Sequence, residues 1–338
     1  VPYTLPEVGT KRAQLPSLGP AGGLRREALA MTNSTRAQPL TVSVVIPAYR
    51  AAATICRAIE SVLDQTCPAR EILVIDDESP EDLAAVLARY GDRVTLIRQS
   101  RGGAAAARNH GIQRATSDLV AFLDADDKWT ADKLERCVHV LQEHPDVGMV
   151  ASQYILQSPA DQAVRIAGPP AAWCDRPLQA SGPMLLEYAK STSTPTVVVR
   201  RGLLDQHRFD VTLTTAEDRD LWVRLLAASQ AYFLAAPLCI VYLRGDSLSH
   251  GNIDVDCGCM LRVIDRYRGL LGPLHARRER SYVHFKWAVG LPGGWRAVGQ
   301  LARAVWLWPL PYSRERTRSQ FARLRALVAI LRRWGVSA

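Results

Sequence analysis

The chain has 338 residues, 48% hydrophobic and 22% charged, with a formal net charge of +9. Such a length exceeds one small core and fits one large domain plus an appendage, and the composition is that of a globular protein. Seven cysteines, scattered and odd in number, form no pair of C-x-x-C units that could build a zinc site, and they read as reduced thiols in a cytosolic setting; the close pair Cys257-Gly258-Cys259 has no His or further Cys beside it. The charge is uneven: from Arg262 onward there are 16 Lys or Arg against 3 acids, which leaves 26 against 30 in residues 1–261. A basic tail of this kind points to an anionic partner surface.

Residues 1–40 hold Pro, Gly, Ser and Thr without a sustained apolar period and without the hydrophobic core of a signal peptide, so a disordered N-terminal segment is expected there. Val42-Ser43-Val44-Val45-Ile46-Pro47 reads as the first buried strand. Thr54 is a candidate cap for a helix carrying Ile55, Ala58, Ile59, Val62 and Leu63 at helical spacing. Glu71 to Ile75 is a second strand ending in Asp76-Asp77, after which Ser79-Pro80-Glu81-Asp82 supplies a cap, a first-turn proline and an acid. Arg93 to Ile97 gives a third strand, and Gly102-Gly103 opens an alanine-rich helix carrying Arg108 and Asn109. Strands and helices alternating at this interval predict an α/β, Rossmann-like domain with a mostly parallel central sheet and right-handed crossovers.

The fourth strand, Leu119-Val120-Ala121-Phe122-Leu123, drives into Asp124-Ala125-Asp126-Asp127. Parallel sheets bind ligands beyond the carboxyl ends of their strands. Alternate residues of an extended chain share a face, so Asp124 and Asp126 can address one divalent cation while Asp127 turns off beside them. Oxygen ligands of this kind suit Mg²⁺ or Mn²⁺ shared with a phosphate-bearing substrate; the bland alternative is an acidic turn capping a helix from about Thr130 to Gln142. Val147 to Ala151 and Pro195 to Arg200 read as further strands. A second acidic cluster, Glu217-Asp218-Arg219-Asp220, opens a helix through Leu221-Trp222.

Taken in order, Val42 to Tyr49, Ile75-Asp76-Asp77-Glu78-Ser79, Ala106-Ala107-Arg108-Asn109-His110-Gly111, Phe122 to Asp127 and Glu217-Asp218-x-Asp220-Leu221-Trp222 resemble the successive signatures of the inverting family 2 glycosyltransferases with the GT-A fold. The resemblance spans about residues 41–250. It implies a nucleotide-diphospho-sugar donor, with UDP the expected nucleotide, a divalent metal and direct displacement at the anomeric carbon. Glu78 departs from the pattern, which has Gly there, so a left-handed turn after Asp77 would carry a cost.

On this reading Pro47, Ala48 and Tyr49 hold base and ribose beside Asp76, and Asp77 accepts from a base N–H. Arg108 neutralises the diphosphate or pairs with Asp77, and Asp124, Ala125 and Asp126 complete the nucleotide-sugar site. The metal falls to Asp126, with Asp124 and Asp127 in support. Asp218 matches the family's catalytic aspartate and is the expected general base, with Glu217 its nearest rival and Asp220 a weaker one. Arg244, Ser249 and His250 resemble a loop that closes over the diphosphate.

The expected organisation is a disordered segment at 1–40, the catalytic domain at 41–253 and a helical basic region at 254–338. The last combines Arg with Trp287, Trp295, Trp306, Trp308 and Trp334, which suits a lipid headgroup region, but has no apolar stretch of membrane-spanning length. The expected activity is metal-assisted sugar transfer to a glycan or lipid-linked acceptor at the cytoplasmic face of the cell membrane, with no nucleic-acid partner. The rival readings are a sugar-phosphate nucleotidyltransferase, whose Gly-rich loop Pro47-Ala48-Tyr49-Arg50 lacks, a basic nucleic-acid-binding protein, and an inactive sugar-nucleotide-binding domain.

Overall fold

The computed structural model describes residues 39–157, 164–243, 252–310 and 322–333. Residues 1–38, and with them nearly all of the expected disordered segment, lie outside this description, as do Arg244, Ser249, His250 and Trp334. Strands β1 (Val42–Ala48), β2 (Glu71–Asp77), β3 (Thr95–Gln99) and β4 (Leu119–Phe122) alternate with helices α1 (Ile55–Leu63), α2 (Leu83–Leu87) and α3 (Gly103–Arg114). Then come β5 (Lys128–Trp129), α4 (Lys133–Glu143), β6 (Val147–Gln157), β7 (Val164–Ala167), β8 (Pro177–Leu178), α5 (Met184–Ser191), β9 (Val198–Arg200), α6 (Arg201–Gln206), α7 (Glu217–Ala228) and β10 (Gln230–Tyr242). The chain continues through α8 (Ile253–Arg266), α9 (Arg268–Leu271), α10 (Pro273–Gly290), α11 (Gly294–Leu307) and α12 (Ala322–Arg333).

The strands form one sheet with the main path β3-β2-β1-β4-β9-β6-β10-β5, while β7 pairs with β6 and β8 with β10. β3, β2, β1 and β4 are mutually parallel, as short strands joined by crossover helices must be. β9 runs antiparallel to both β4 and β6, β10 is parallel to β6, and β5 closes the edge antiparallel to β10. Most of the path therefore points one way, as the alternating pattern predicts. Successive residues of β1 feed opposite cores: Val45 packs with Leu73, Val120 and Phe122 on one face, while Val44 and Ile46 pack with Ile72, Val74 and Ala121 on the other. Burial on both faces is why these strands read as unbroken apolar runs.

Some local expectations shift. Pro47 does not close β1, which runs on to Ala48; β4 has already ended opposite Val45, so the missing N–H of Pro47 interrupts no pairing on that side. α2 is capped by Asp82, whose carboxylate accepts the Ala85 N–H at 3.1 Å, and Ser79 instead donates its N–H to Asp76 at 2.8 Å. Thr54 stands at the start of α1 without capping it through its side chain. The third strand and the helix after Asp127 each begin two or three residues later than the pattern suggests, at Thr95 and Lys133.

The helices after β10 dock through charge as well as apolar packing. Asp220 of α7, fully buried, receives Arg224 at 2.7 Å, Arg266 of α8 at 2.7 Å and the Tyr267 hydroxyl at 2.8 Å. Between α5 and α10, Lys190 lies 2.9 Å from Glu279 and 3.2 Å from Glu187, with His275 beside both acids, so that cluster carries its own neutralising cation. A separate apolar cluster of Ala288, Leu291, Ala297, Leu301, Ala326 and Ile330 joins α10, α11 and α12.

Candidate active site

The carboxyl ends of β1 to β4 meet at one edge of the sheet, because the register sets Ala48 opposite Asp76, Asp77 opposite Gln99, and Phe122 opposite Val45. β2 and β3 deliver Asp76, Asp77 and Gln99 to this edge, and β1 and β4 deliver the residues that follow them.

At the β1 and β2 side, Pro47 is half-buried and Ala48 buried, while the Tyr49 ring lies beneath the guanidinium of Arg101 at 3.8 Å. Asp76 receives Arg98 at 2.8 Å in addition to the Ser79 N–H. Asp77 accepts from Gln99 Nε2 and from the backbone N–H groups of Gly102 and Gly103, all at 2.8 Å, so it caps the entry to α3. Both aspartates are buried and bonded within the protein. Glu78 keeps the left-handed conformation, φ 61, in spite of its side chain, and its carboxylate accepts the Arg101 N–H at 3.0 Å. Arg50, with φ 51, is a second non-glycine residue strained in this way at the same edge, each at a cost of roughly 1–2 kcal/mol.

At the end of β4, Asp124 and Asp126 are half-buried, Ala125 is buried between them, and Asp127 turns inward to accept the Tyr242 N–H at 3.0 Å. Burial, reinforced by the charges of Asp124 and Asp126, pushes the Asp127 carboxyl up to about 9. Arg57 of α1 donates to the Asp126 carbonyl and stacks on the Tyr242 ring at 3.9 Å, so α1 and the end of β10 hold the acidic loop from both sides. Asp127 thus faces the protein, whereas Asp124 and Asp126 keep partial exposure.

Arg108 does not meet Asp77. Its two terminal nitrogens lie 2.8 Å from Asp124 and 2.8 Å from Glu217, and the residue is 6% exposed. Burial works against its charge, but Asp124 and Glu217 outweigh that and raise its pKa. The guanidinium sits over Phe209, which packs edge-on against Phe122 and Trp222. Its neighbours in the motif each have a task. Asn109 exchanges two 2.9 Å hydrogen bonds with the Phe209 backbone, His110 meets Gln99 at 2.9 Å, and Gly111 lets α3 approach β1 so closely that a Cβ would lie 2.3 Å from Val45 Cγ1.

The second acidic cluster opens α7 just after Ala216, itself left-handed at φ 61. Glu217 is held by Arg108; burial and the nearby Asp218 raise its carboxyl pKa while Arg108 opposes them. Asp220 is consumed in its buried contacts with Arg224, Arg266 and Tyr267. Asp218 is half-buried and takes the Arg219 N–H at 2.7 Å; among the described residues it is the one acid of the three that no arginine grips. Tyr154 of β6 stands near it: burial pushes its hydroxyl pKa up, Arg219 opposes this, and Cys239, Asp218 and Asp127 add to it.

Register sets the ends of β1, β2 and β4 side by side, Arg108 joins Asp124 to Glu217 of α7, and Arg57, Arg101, Tyr154 and Tyr242 stand beside these residues. Arg57 falls between the apolar positions of the helix read from Ile55 to Leu63, Tyr154 lies beyond the strand read at Val147 to Ala151, and Tyr242 opens the stretch whose Arg244, Ser249 and His250 resemble the loop over the diphosphate. No spacing signal marks Arg57 or Tyr154, because only the fold brings them to the acids.

The description glycosyl transferase family 2 matches residues 43–182. The chain is 30% identical over 187 residues to the UDP-Glc:alpha-D-GlcNAc-diphosphoundecaprenol beta-1,3-glucosyltransferase WfgD of Escherichia coli, covering 55% of this chain and 69% of that protein. It spans only 31% to 60% of the length of three other bacterial relatives. Among solved structures, S. aureus TarS 1-349 in complex with UDP-GlcNAc superposes with a TM-score of 0.60 at 17% identity, over 88% of this chain and 92% of that one. The mannosyltransferase PcManGT of Pyrobaculum calidifontis, in complex with GDP-Man and Mn²⁺, gives 0.56 at 20% identity over 87% and 88%. At such identities the structural likeness speaks to the fold, which is that of the GT-A glycosyltransferases. With the WfgD match, the family pattern and this sheet edge in agreement, the chain belongs to glycosyl transferase family 2.

Proposed function

We propose that the protein transfers a sugar from a nucleoside-diphospho-sugar, with UDP the expected nucleotide, to a glycan or lipid-linked acceptor with inversion, using Asp218 as the general base. The observation that carries this reading is the division of labour in α7, where Glu217 and Asp220 are held by arginines and the half-buried Asp218 has no arginine partner among the described residues. In the step we propose, Asp218 takes the proton of the acceptor hydroxyl as that oxygen bonds to the anomeric carbon, and the bond to the diphosphate oxygen breaks on the opposite face. A single displacement assisted by one base inverts the configuration.

The donor is expected along the edge from Tyr49 to Asp126. Pro47, Ala48, Tyr49 and Asp76 would frame base and ribose. Asp77 has both oxygens engaged by α3 and its neighbour, and a carboxylate retains acceptor capacity beyond three such bonds for a base N–H. Arg108, enclosed between two acids, would act by holding Asp124 and Glu217 in place rather than by touching the diphosphate.

The donor set suits a hard divalent cation, Mn²⁺ or Mg²⁺: Asp124 and Asp126 stand half-buried at the end of β4, and their charges add to burial in raising the Asp127 carboxyl. Asp126 would hold the ion with Asp124 beside it, and Asp127 would support the loop from within. A bound ion would offset charge on the leaving diphosphate. The relative PcManGT, solved with GDP-Man and Mn²⁺, supports the same pairing of nucleotide and metal here. The acceptor named for WfgD, a sugar on diphosphoundecaprenol, supports a lipid-linked acceptor and hence a peripheral place at the inner face of the cell membrane. No helix among the described residues is long and apolar enough to cross a membrane.

Release of nucleoside diphosphate, screened over a panel of sugar nucleotides with Mn²⁺ or Mg²⁺, tests the reading, and NMR of the product gives its anomeric configuration. Turnover of one donor with an inverted product is expected. A product of retained configuration would overturn the mechanism, and failure to bind any sugar nucleotide would overturn the donor class.

A further inference from the structure

Helix α11 carries an apolar line on the side that ought to be polar. Its inward face is Ala297, Leu301 and Ala304, buried against α10 and α12. The opposite side presents Trp295, Gly299, Ala302 and Trp306, spaced by four, three and four residues, which places them on one stripe. Both tryptophans are 76% exposed. They stand about 16 Å apart along the axis at ~1.5 Å per residue, with only small residues between. Exposed Arg296 and Arg303 follow one flank of the stripe, and partly exposed Val298 and Val305 the other.

We propose that this stripe of α11 is the surface by which the protein lies on a bilayer containing anionic lipid, with Trp295 and Trp306 entering the headgroup region and Arg303 meeting phosphate. Indole rings, with an apolar body and one N–H donor, favour that boundary. Gly299 and Ala302 allow the helix to approach a flat surface closely. Charge selects the occupant: the stripe is flanked by Arg303 and by Arg296, which also pairs with Asp254 at 3.0 Å, and no acid lies on α11, so two copies of this helix would bring like charges together, whereas an anionic surface would attract it. The helix would lie in the interface rather than span it. This proposal rests on α11 and its charge and stands independently of the transfer chemistry above.

Co-sedimentation of the full chain with phosphatidylcholine vesicles, with and without phosphatidylglycerol, tests it. Binding is expected to the mixed vesicles and to weaken with salt. Changing Trp295→Ala and Trp306→Ala together should reduce the bound fraction at least about tenfold, and Arg303→Glu should reduce binding to the anionic vesicles in particular. Nucleotide-sugar binding by both variants should match the parent, which shows that the fold is intact. Brominated acyl chains should quench the parent's fluorescence and not that of the double variant. Equal vesicle binding by parent and double variant overturns the proposal, as does a parent that stays in the supernatant. A lipid-free dimer that the double substitution dissolves would assign the stripe to self-association instead and overturn it as well.

Discussion

Arg108 stands 2.8 Å from Asp124 and 2.8 Å from Glu217, so one buried guanidinium couples the acids at the end of β4 to those at the start of α7. Without it, two half-buried carboxylates would face each other across the gap it fills. Arg108→Met should therefore lower stability by about 3–5 kcal/mol, the usual cost of breaking a buried pair from one side. Arg108→Lys should recover only part of this, since an ammonium cannot bridge two acids as a planar fork does. Urea unfolding midpoints check the series, and a parental midpoint for Arg108→Met would remove the bridging role.

Asp218→Asn should lower kcat by about 10²–10⁴-fold while leaving donor affinity close to the parent, because a base acts on the acceptor. Glu217→Gln should lose less turnover and more stability, since Glu217 is half of the Arg108 bridge. Steady-state kinetics beside calorimetric donor titration separates the two. Near-normal kcat in Asp218→Asn would move the base elsewhere.

Asp126→Ala should weaken nucleotide-sugar binding in buffer containing Mn²⁺ and remove most of the difference between Mn²⁺ and chelator. Calorimetry with UDP-sugars in both buffers reads this directly, and an unchanged metal response would exclude Asp126 as the ligand.

Gly111→Ala forces a Cβ to within 2.3 Å of Val45 in the core of β1 and should cost about 1–3 kcal/mol of stability. Gly202→Ala, where the added carbon meets nothing within 4 Å, should be neutral or stabilising by roughly 0.5–1 kcal/mol inside a helix. Thermal melts of the two variants should move in opposite directions or differ clearly in size.

Asp210 accepts from Thr212 and Arg266, and against the opposing effect of burial these bonds hold its carboxyl down at about 2, below the usual value of 3.8. A carboxylate depressed on folding stabilises above its unfolded pKa and loses that contribution as pH falls through the folded value. With Arg266 partly solvated, the gain is expected at about 1 kcal/mol. Asp210→Asn should therefore be less stable than the parent at neutral pH, with the gap closing between roughly pH 4 and pH 2. Denaturant midpoints at both ends of that range decide it, and a gap independent of pH would assign the effect to packing.

Much of the architecture lies in local pattern. Val42 to Pro47, Glu71 to Asp77 and Leu119 to Leu123 are apolar without interruption, and a strand buried on both faces requires that whatever its neighbours are. The acids that end β2 and follow β4 are likewise legible in order, because a parallel sheet delivers the ends of such strands to one edge. Position within the edge was another matter. Arg108 was open to pairing with Asp77 or a diphosphate, and only the packing of α3 on β1 through Gly111 turned it to Asp124 and Glu217.

The three acids of α7 are ranked in the sequence by resemblance alone, and tertiary contacts give each its partners: Arg108 takes Glu217, while Arg224, Arg266 and Tyr267 take Asp220. The antiparallel insertion of β9 between β4 and β6 was equally hidden, since strand direction depends on partners far along the chain. Residue type and period determine which segments are strands, which are helices and which ends carry charge. Which charge meets which is decided by long-range packing, because ion pairs of comparable chemistry differ in energy only once the fold has fixed their distances and removed the water between them.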